Sequence, residues 1–144
     1  MAVTTHNGYT AAAVPQLTTG LNSLANATNS GASATIDNTT NLDLYMDCEL
    51  VLAAQGAARS TGATVTLYIV NSLDGTNFDD VNETTAEVGG VWPLDAATTA
   101  RRRTIRDIPV SPGKFQLFIR NNTGQAFAAS GNTVSTRFHS VKTV

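Results

Sequence analysis

The densest group of oxygen ligands in the chain is Asp74-Gly75-Thr76-Asn77-Phe78-Asp79-Asp80. Calcium takes carboxylates and amide carbonyls crowded on a short loop, so this stretch is the first place to look for a metal. Its glycine stands at the wrong position for an EF-hand, and a hairpin turn accounts for the same residue types. Asp-Gly supplies positive φ angles, and Asn and Asp close turns through their side chains. The turn is the favoured reading; no metal ligands are assigned, and calcium at 74–80 stays open.

Arg101, Arg102 and Arg103, with Arg106, form the cationic cluster of the chain. Such a cluster can meet phosphates or a partner's acidic patch. Alternation along a strand sends Arg101 and Arg103 to one face and Arg102 to the other, so no broad basic surface results. No aromatics interleave with the arginines, as base stacking requires. Salt bridges to a partner or between subunits therefore rank first, a solvated loop second and nucleic acid a distant third.

The nucleophile inventory is thin. Cys48 lies on the apolar side of an alternating run, where a thiol packs as a small inert hydrophobe. His6 stands near the N-terminus and His139 on the polar side of the last alternating run. There is no G-x-S-x-G elbow, Gly-rich phosphate loop, H-E-x-x-H or paired-cysteine motif, so no catalytic residue is assigned and no enzyme is expected. Trp92, beside Pro93, is either an exposed sugar-stacking platform or a plug over one end of the fold.

The elements that must position these residues are strands. In 43–52, Leu44, Met46, Cys48, Leu50 and Leu52 alternate with Asp43, Asp47 and Glu49. Ala63, Val65, Leu67 and Ile69 alternate with Thr64, Thr66 and Tyr68; Phe115, Leu117 and Ile119 with Lys114, Gln116 and Arg120; Val134, Thr136 and Phe138 with Ser135, Arg137 and His139. Period two is the mark of a half-buried strand, and the last run is expected to end the chain's strands. Ala34 and Ile36 predict a short strand, 88–94 an edge strand broken by glycines and Pro93, and 101–110 a strand whose phase changes between Ile105 and Ile108, as a bulge produces. Leu17, Leu21 and Leu24 have helical spacing among poor helix formers, which predicts extended chain or one irregular turn. Reversals are expected at Asp74-Gly75, Gly89-Gly90, Pro112-Gly113, 121–124 and 130–132.

These runs predict an all-β chain: a single antiparallel β-sandwich, jelly-roll or immunoglobulin-like, of seven to eight strands, with an extended N-terminal arm at 1–20 and the sandwich at 21–144. At 144 residues the chain fits one domain. Charged residues make up 14%, against roughly 25% in an ordinary soluble domain, and Thr, Ala and Asn take their place. A net charge of -2 creates no field to draw nucleic acid or an anionic membrane. One cysteine excludes an internal disulfide framework, and two histidines far apart argue against a histidine-rich metal site. No cofactor or small-molecule substrate is expected.

Residues 1–20 carry no basic n-region and no apolar run of signal length, so the expectation is synthesis in a cytosol without standard export. The N-x-[ST] triplets at Asn26, Asn38, Asn82 and Asn121 then carry no meaning. A segment with only Val3, Tyr9, Val14 and Leu17 as sizeable apolar side chains buries too little to order itself, so an ordered one is held by its own domain, a neighbouring copy or a larger assembly. The whole chain has only Lys114 and Lys142 to guard strand edges, and neutral Thr, Ser and Asn desolvate cheaply. Both features point to contact with other proteins.

DLYMDCELVLA, GATVTLYIVNSLDGTNFDDV and RRRTIRDIPVSPGKFQLFIRNNTGQAF, in that succession, resemble small structural proteins of tailed bacteriophages. They are most similar to capsid decoration, or cement, proteins and related head-associated β-sandwiches. The resemblance rests on a strand entering Ser72-Leu73-Asp74-Gly75-Thr76-Asn77-Phe78 and a later strand ending at 121–124; it covers about residues 42–142. It implies a non-enzymatic virion protein made in the host bacterial cytoplasm, sitting as a dimer or trimer on the capsid exterior. Its partners would be the major capsid protein and copies of itself. The residues themselves, apart from the resemblance, offer Val3, Tyr9, Val14 and Leu17 of the arm and Arg101, Arg102, Arg103 and Arg106 as the expected contacts. A tail, neck or baseplate position is the nearest alternative. A glycan-binding attachment module using Trp92, Tyr68 and Phe78 is the alternative of another class.

Overall fold

A computed structural model describes residues 4–6, 8–9 and 11–143 of the chain. The strands in order are β1 (Thr4–His6), β2 (Val14–Leu17), β3 (Thr28–Asn29), β4 (Ile36–Asp37), β5 (Tyr45–Leu52), β6 (Thr64–Ser72), β7 (Glu87–Pro93), β8 (Arg101–Pro109), β9 (Lys114–Asn122), β10 (Thr133–His139) and β11 (Val141–Thr143). No α-helix forms among the described residues, and no helix is long and apolar enough to cross a membrane. Of the leucines at helical spacing, Leu17 ends β2 and Leu21 closes one 3-10 turn, Thr19–Leu21, and both are buried.

Two antiparallel sheets carry the architecture of a β-sandwich. One runs β2-β10-β5-β8 and the other β3-β9-β6-β7, with β4 also paired to β9. The period-two runs decide which faces meet. Met46, Cys48, Leu50 and Leu52 of β5 pack in one core with Val65, Leu67 and Ile69 of β6 and Phe115, Leu117 and Ile119 of β9. Each such side chain contributes about 1.5–3 kcal/mol on burial, which is what fixes the register.

The pairings nest about the middle of the chain. β1 pairs β11, β2 pairs β10, β3 and β4 pair β9, β5 pairs β8 and β6 pairs β7, all antiparallel. The first half of the polypeptide is thus the pairing partner of the second half. Residues 1–20 enter this scheme at both β1 and β2.

Several expectations are corrected by packing. The main sheets alone hold more strands than seven or eight, because β3 and β4 are two-residue pairings too short to show a period. β10 does not end the strands, since β11 follows one residue later. β5 starts at Tyr45, so Leu44 is exposed and Asp43 buried, the reverse of their phase in the alternation. Gly89-Gly90 is no reversal but lies inside β7, at a register shift opposite Leu67 and Tyr68. A Cβ on Gly90 would sit 2.7 Å from Ile105 Cδ1, so the bare backbone lets β7 approach β8.

Loop 73–86 joins β6 to β7 and folds back over the outer face of its sheet. Phe78 and Ala86 pack there on a second apolar cluster of Tyr68, Val70 and Phe118. The rings of Tyr68 and Phe118 stack with centroids 4.8 Å apart.

Candidate functional site

The phase change in β8 builds a polar cluster. Ile108 pairs with Met46 and Ile105 with Cys48, so Arg106 and Asp107 together face the single residue Asp47. The bulge puts Asp107 at φ +55, and its N–H donates to Asp47 Oδ1 at 3.0 Å. β10, on the other side of β5, brings His139 Nε2 to 3.3 Å from Asp47 Oδ1 and 3.2 Å from Asp107 Oδ1. The His139 ring stacks on Tyr45 and meets the edge of Tyr9.

Tyr9 closes the cluster from the N-terminal segment. Its hydroxyl donates to Asp47 Oδ2 at 2.5 Å, and the Arg137 guanidinium lies 3.8 Å over its ring. Arg106 Nη1 is 3.6 Å from Asp47 Oδ2. Burial opposes ionisation of Asp47, but the hydrogen bonds from Tyr9 and Asp107 and the His139 imidazole outweigh it and hold the carboxyl below its ordinary value. The same bond to Asp47 pushes the Tyr9 phenol up. The adjoining hollow, about 190 Å³, is lined by Tyr9, Glu49, Thr104 and Arg137 among others. Small organic ligands need roughly 300–1,000 Å³, so this space suits an ion or water.

A second feature is apolar. At the end of the sandwich where β5 begins and β8 stops, Leu42, Leu44 and Leu73 are exposed, Leu73 fully. Asn38, itself buried, ties down the 42–44 part of this rim: its Nδ2 donates to the Asp43 and Ser111 carbonyls at 2.8 Å, and its Oδ1 accepts from Asp43 N at 2.9 Å. Leu42 is held at φ +51, a left-handed conformation that a branched apolar residue adopts only under constraint. Leu73 and Val110 border one groove of about 470 Å³, and Val110 N donates to the Leu44 carbonyl.

The opposite end is tied by charge. Arg59, with no exposed side-chain surface, donates to Gln55 Oε1, Asp95 Oδ1 and the Asp95 and Thr99 carbonyls at 3.0–3.1 Å. Asp95 also pairs with Arg101. Hydrogen bonds from Arg101 and then Arg59 hold the Asp95 carboxyl well below the usual carboxylate range. A depressed folded pKa contributes stability that is complete above the unfolded value and lost as pH falls through the folded one. Resistance to urea should therefore drop below about pH 4, where free carboxyls protonate, and Asp95→Asn should lose less across that window than the parent. Parallel urea curves at pH 7 and pH 3 check this.

The residues singled out from sequence are scattered. Val3 lies outside the described residues. Tyr9 and Val14 are exposed, while Leu17 is buried in the core and serves its own domain. Within the subunit Arg101 pairs with Asp95, Arg102 with Glu49 and Arg106 with Asp47, and Arg102 and Arg106 keep most of their side-chain surface exposed. Arg103 lies exposed on β8. Trp92 is 1% exposed and Tyr68 8%, which removes them as a sugar platform; Trp92 is the plug. Phe78 is half-buried over Tyr68. The carboxylate of Asp74 is occupied by its own turn, accepting from Thr76 N, Asn77 N and Asn77 Nδ2 at 2.7–2.8 Å. Burial pushes the Cys48 thiol up, as an inert core position requires.

Sequence reading missed the meeting of Asp47, Asp107 and His139. Its one signal was the phase change at Ile105 and Ile108, because a bulge turns an extra side chain to the outer face. No protein-family model matches this chain, and no curated protein matches it.

Proposed function

We propose that this is a non-enzymatic virion structural protein of the jelly-roll type, binding the outer surface of a phage capsid shell and tying neighbouring capsomers together. The nested pairing supports the jelly roll: a long antiparallel hairpin rolled into two sheets produces this strand order, whereas immunoglobulin sandwiches pair in a different one. Jelly rolls recur in viral shells and in lectins, so the fold alone leaves the function to the surface.

The observation that carries the reading is the rigid leucine rim. Leu42 and Leu44 stand exposed on the stretch of backbone that Asn38 pins, and Leu73 stands exposed at the border of a groove of about 470 Å³ at the same end. Exposed apolar patches mark surfaces for other proteins, and presenting their side chains pre-ordered lowers the entropy cost of association. The sparse lysines and neutral polar surface allow burial over a wider area. Many copies, each contributing one modest interface, raise the barrier to shell rupture.

Deletion of residues 1–20 would test the arm but would also remove a sheet strand and the buried Leu17. Substitution at the rim is cleaner. Leu42→Ser combined with Leu73→Ser should weaken binding to expanded phage heads tenfold or more, about 1.4 kcal/mol per decade, with an unchanged circular dichroism spectrum. Sedimentation of heads with labelled protein measures it, and undiminished occupancy would retire the rim as the contact.

A further inference from the structure

We propose that Asp47, Asp107 and His139 form a binding site for a single divalent transition-metal ion of the zinc class, a staple across three strands of the four-stranded sheet. His139 Nε2 on β10 faces Asp47 Oδ1 on β5 and Asp107 Oδ1 on β8, and the three residues each offer one ligand atom within 4.8 Å of the others. Zinc bound at 2.0–2.1 Å in a tetrahedron sets its ligand atoms about 3.3–3.4 Å apart. The separations from Nε2 to the two carboxylate oxygens are 3.3 and 3.2 Å, so a small movement of the exposed Asp107 side chain completes the edge lengths.

The surroundings meet the further demands of such a site. Asp47 Oδ1 is oriented by the Asp107 N–H, and Oδ2 is taken by the Tyr9 hydroxyl and Arg106, which leaves Oδ1 turned towards the imidazole. The His139 ring is fixed between Tyr45 and Tyr9. Asp47 and His139 have side chains only 9% exposed, whereas Asp107 is 65% exposed and opens the site to solvent. An ion can enter there, and a fourth position remains for water or a carboxylate from a partner. An imidazole with two carboxylates favours zinc or cobalt over calcium and magnesium, which want more oxygen donors. The backbone strain of Asp107 in the left-handed region fits a position held for its side chain.

The full chain, stripped with a chelator and dialysed, would be titrated with zinc chloride alone in a calorimeter. The expected result is one ion per chain, a raised thermal midpoint, and no competition from equimolar calcium or magnesium. Cobalt in place of zinc should give the visible absorption of a low-coordinate site. Asp107→Asn, at an exposed side chain, keeps the fold and should weaken zinc by at least about the 10–100-fold that even outer-shell changes cost. His139→Gln should do the same, while His6→Gln, which changes the other histidine, should not. No uptake at stoichiometric zinc would overturn the proposal and leave His139 as a hydrogen-bonded imidazole between two acids. So would uptake undiminished by both Asp107→Asn and His139→Gln.

Discussion

Arg59→Met should lower the free energy of unfolding by about 3–5 kcal/mol, the usual range when one partner of a buried ionic network is removed. Arg59 is 2% exposed and ties the segment after β5 to the segment before β8. Methionine fills the volume but donates nothing, so Gln55 Oε1 and the Thr99 carbonyl lose their partner inside the protein. Asp95 is half exposed and keeps Arg101, which limits the damage on that side. Urea denaturation at neutral pH gives the number. A loss under 1 kcal/mol would mean that water replaces the guanidinium, and that this end of the sandwich is looser than its hydrogen bonds imply. The variant is also a control for function. Arg59 lies at the end of the sandwich opposite the leucine rim, so a folded Arg59→Met chain should bind its partner as the parent does.

Trp92→Ala should cost a similar 3–5 kcal/mol, since a large ring leaves a cavity that a close-packed sandwich fills only in part. Trp92→Phe should cost much less. The indole Nε1 is buried without a hydrogen-bond partner among the described residues, and phenylalanine removes that orphan donor along with the ring it sits on. The two variants therefore separate packing from polarity at one position. Differential scanning calorimetry of both would show it, and equal losses would mean that the indole N–H is satisfied by water. The pair also bears on glycan binding. A sugar platform would lose ligand in Trp92→Ala with little change in stability, whereas a plug loses stability first.

Much of the sandwich was legible because its signals are local. Met46, Cys48, Leu50 and Leu52 alternate with polar neighbours, and a period of two has one meaning when one face must be dry. The bulge between Ile105 and Ile108 was legible for the same reason, as a broken phase within a single strand. Asp74-Gly75 declared its turn through the chemistry of two adjacent residues, and the turn holds the Asp74 carboxylate. Where the alternation or the turn composition failed, a specific contact had overridden it. Gly89-Gly90 has the composition of a turn, yet it sits in β7 because Leu67 and Ile105 leave no room for a side chain there. Leu44 continues an apolar alternation but lies outside β5, where Asn38 captures Asp43 and turns the chain.

The sequence by itself determined that the chain is all-β, which side of each long strand faces the core, and where most of it reverses. Those properties depend on residues within ten positions of one another. Only the tertiary structure decided the nested order of the strands, the rim of exposed leucines and the meeting of Asp47, Asp107 and His139. The cluster joins β5, β8 and β10, whose residues lie 32 to 92 positions apart in the chain. Side-chain periodicity reports the face on which a residue lies, but not which distant strand will lie beside it.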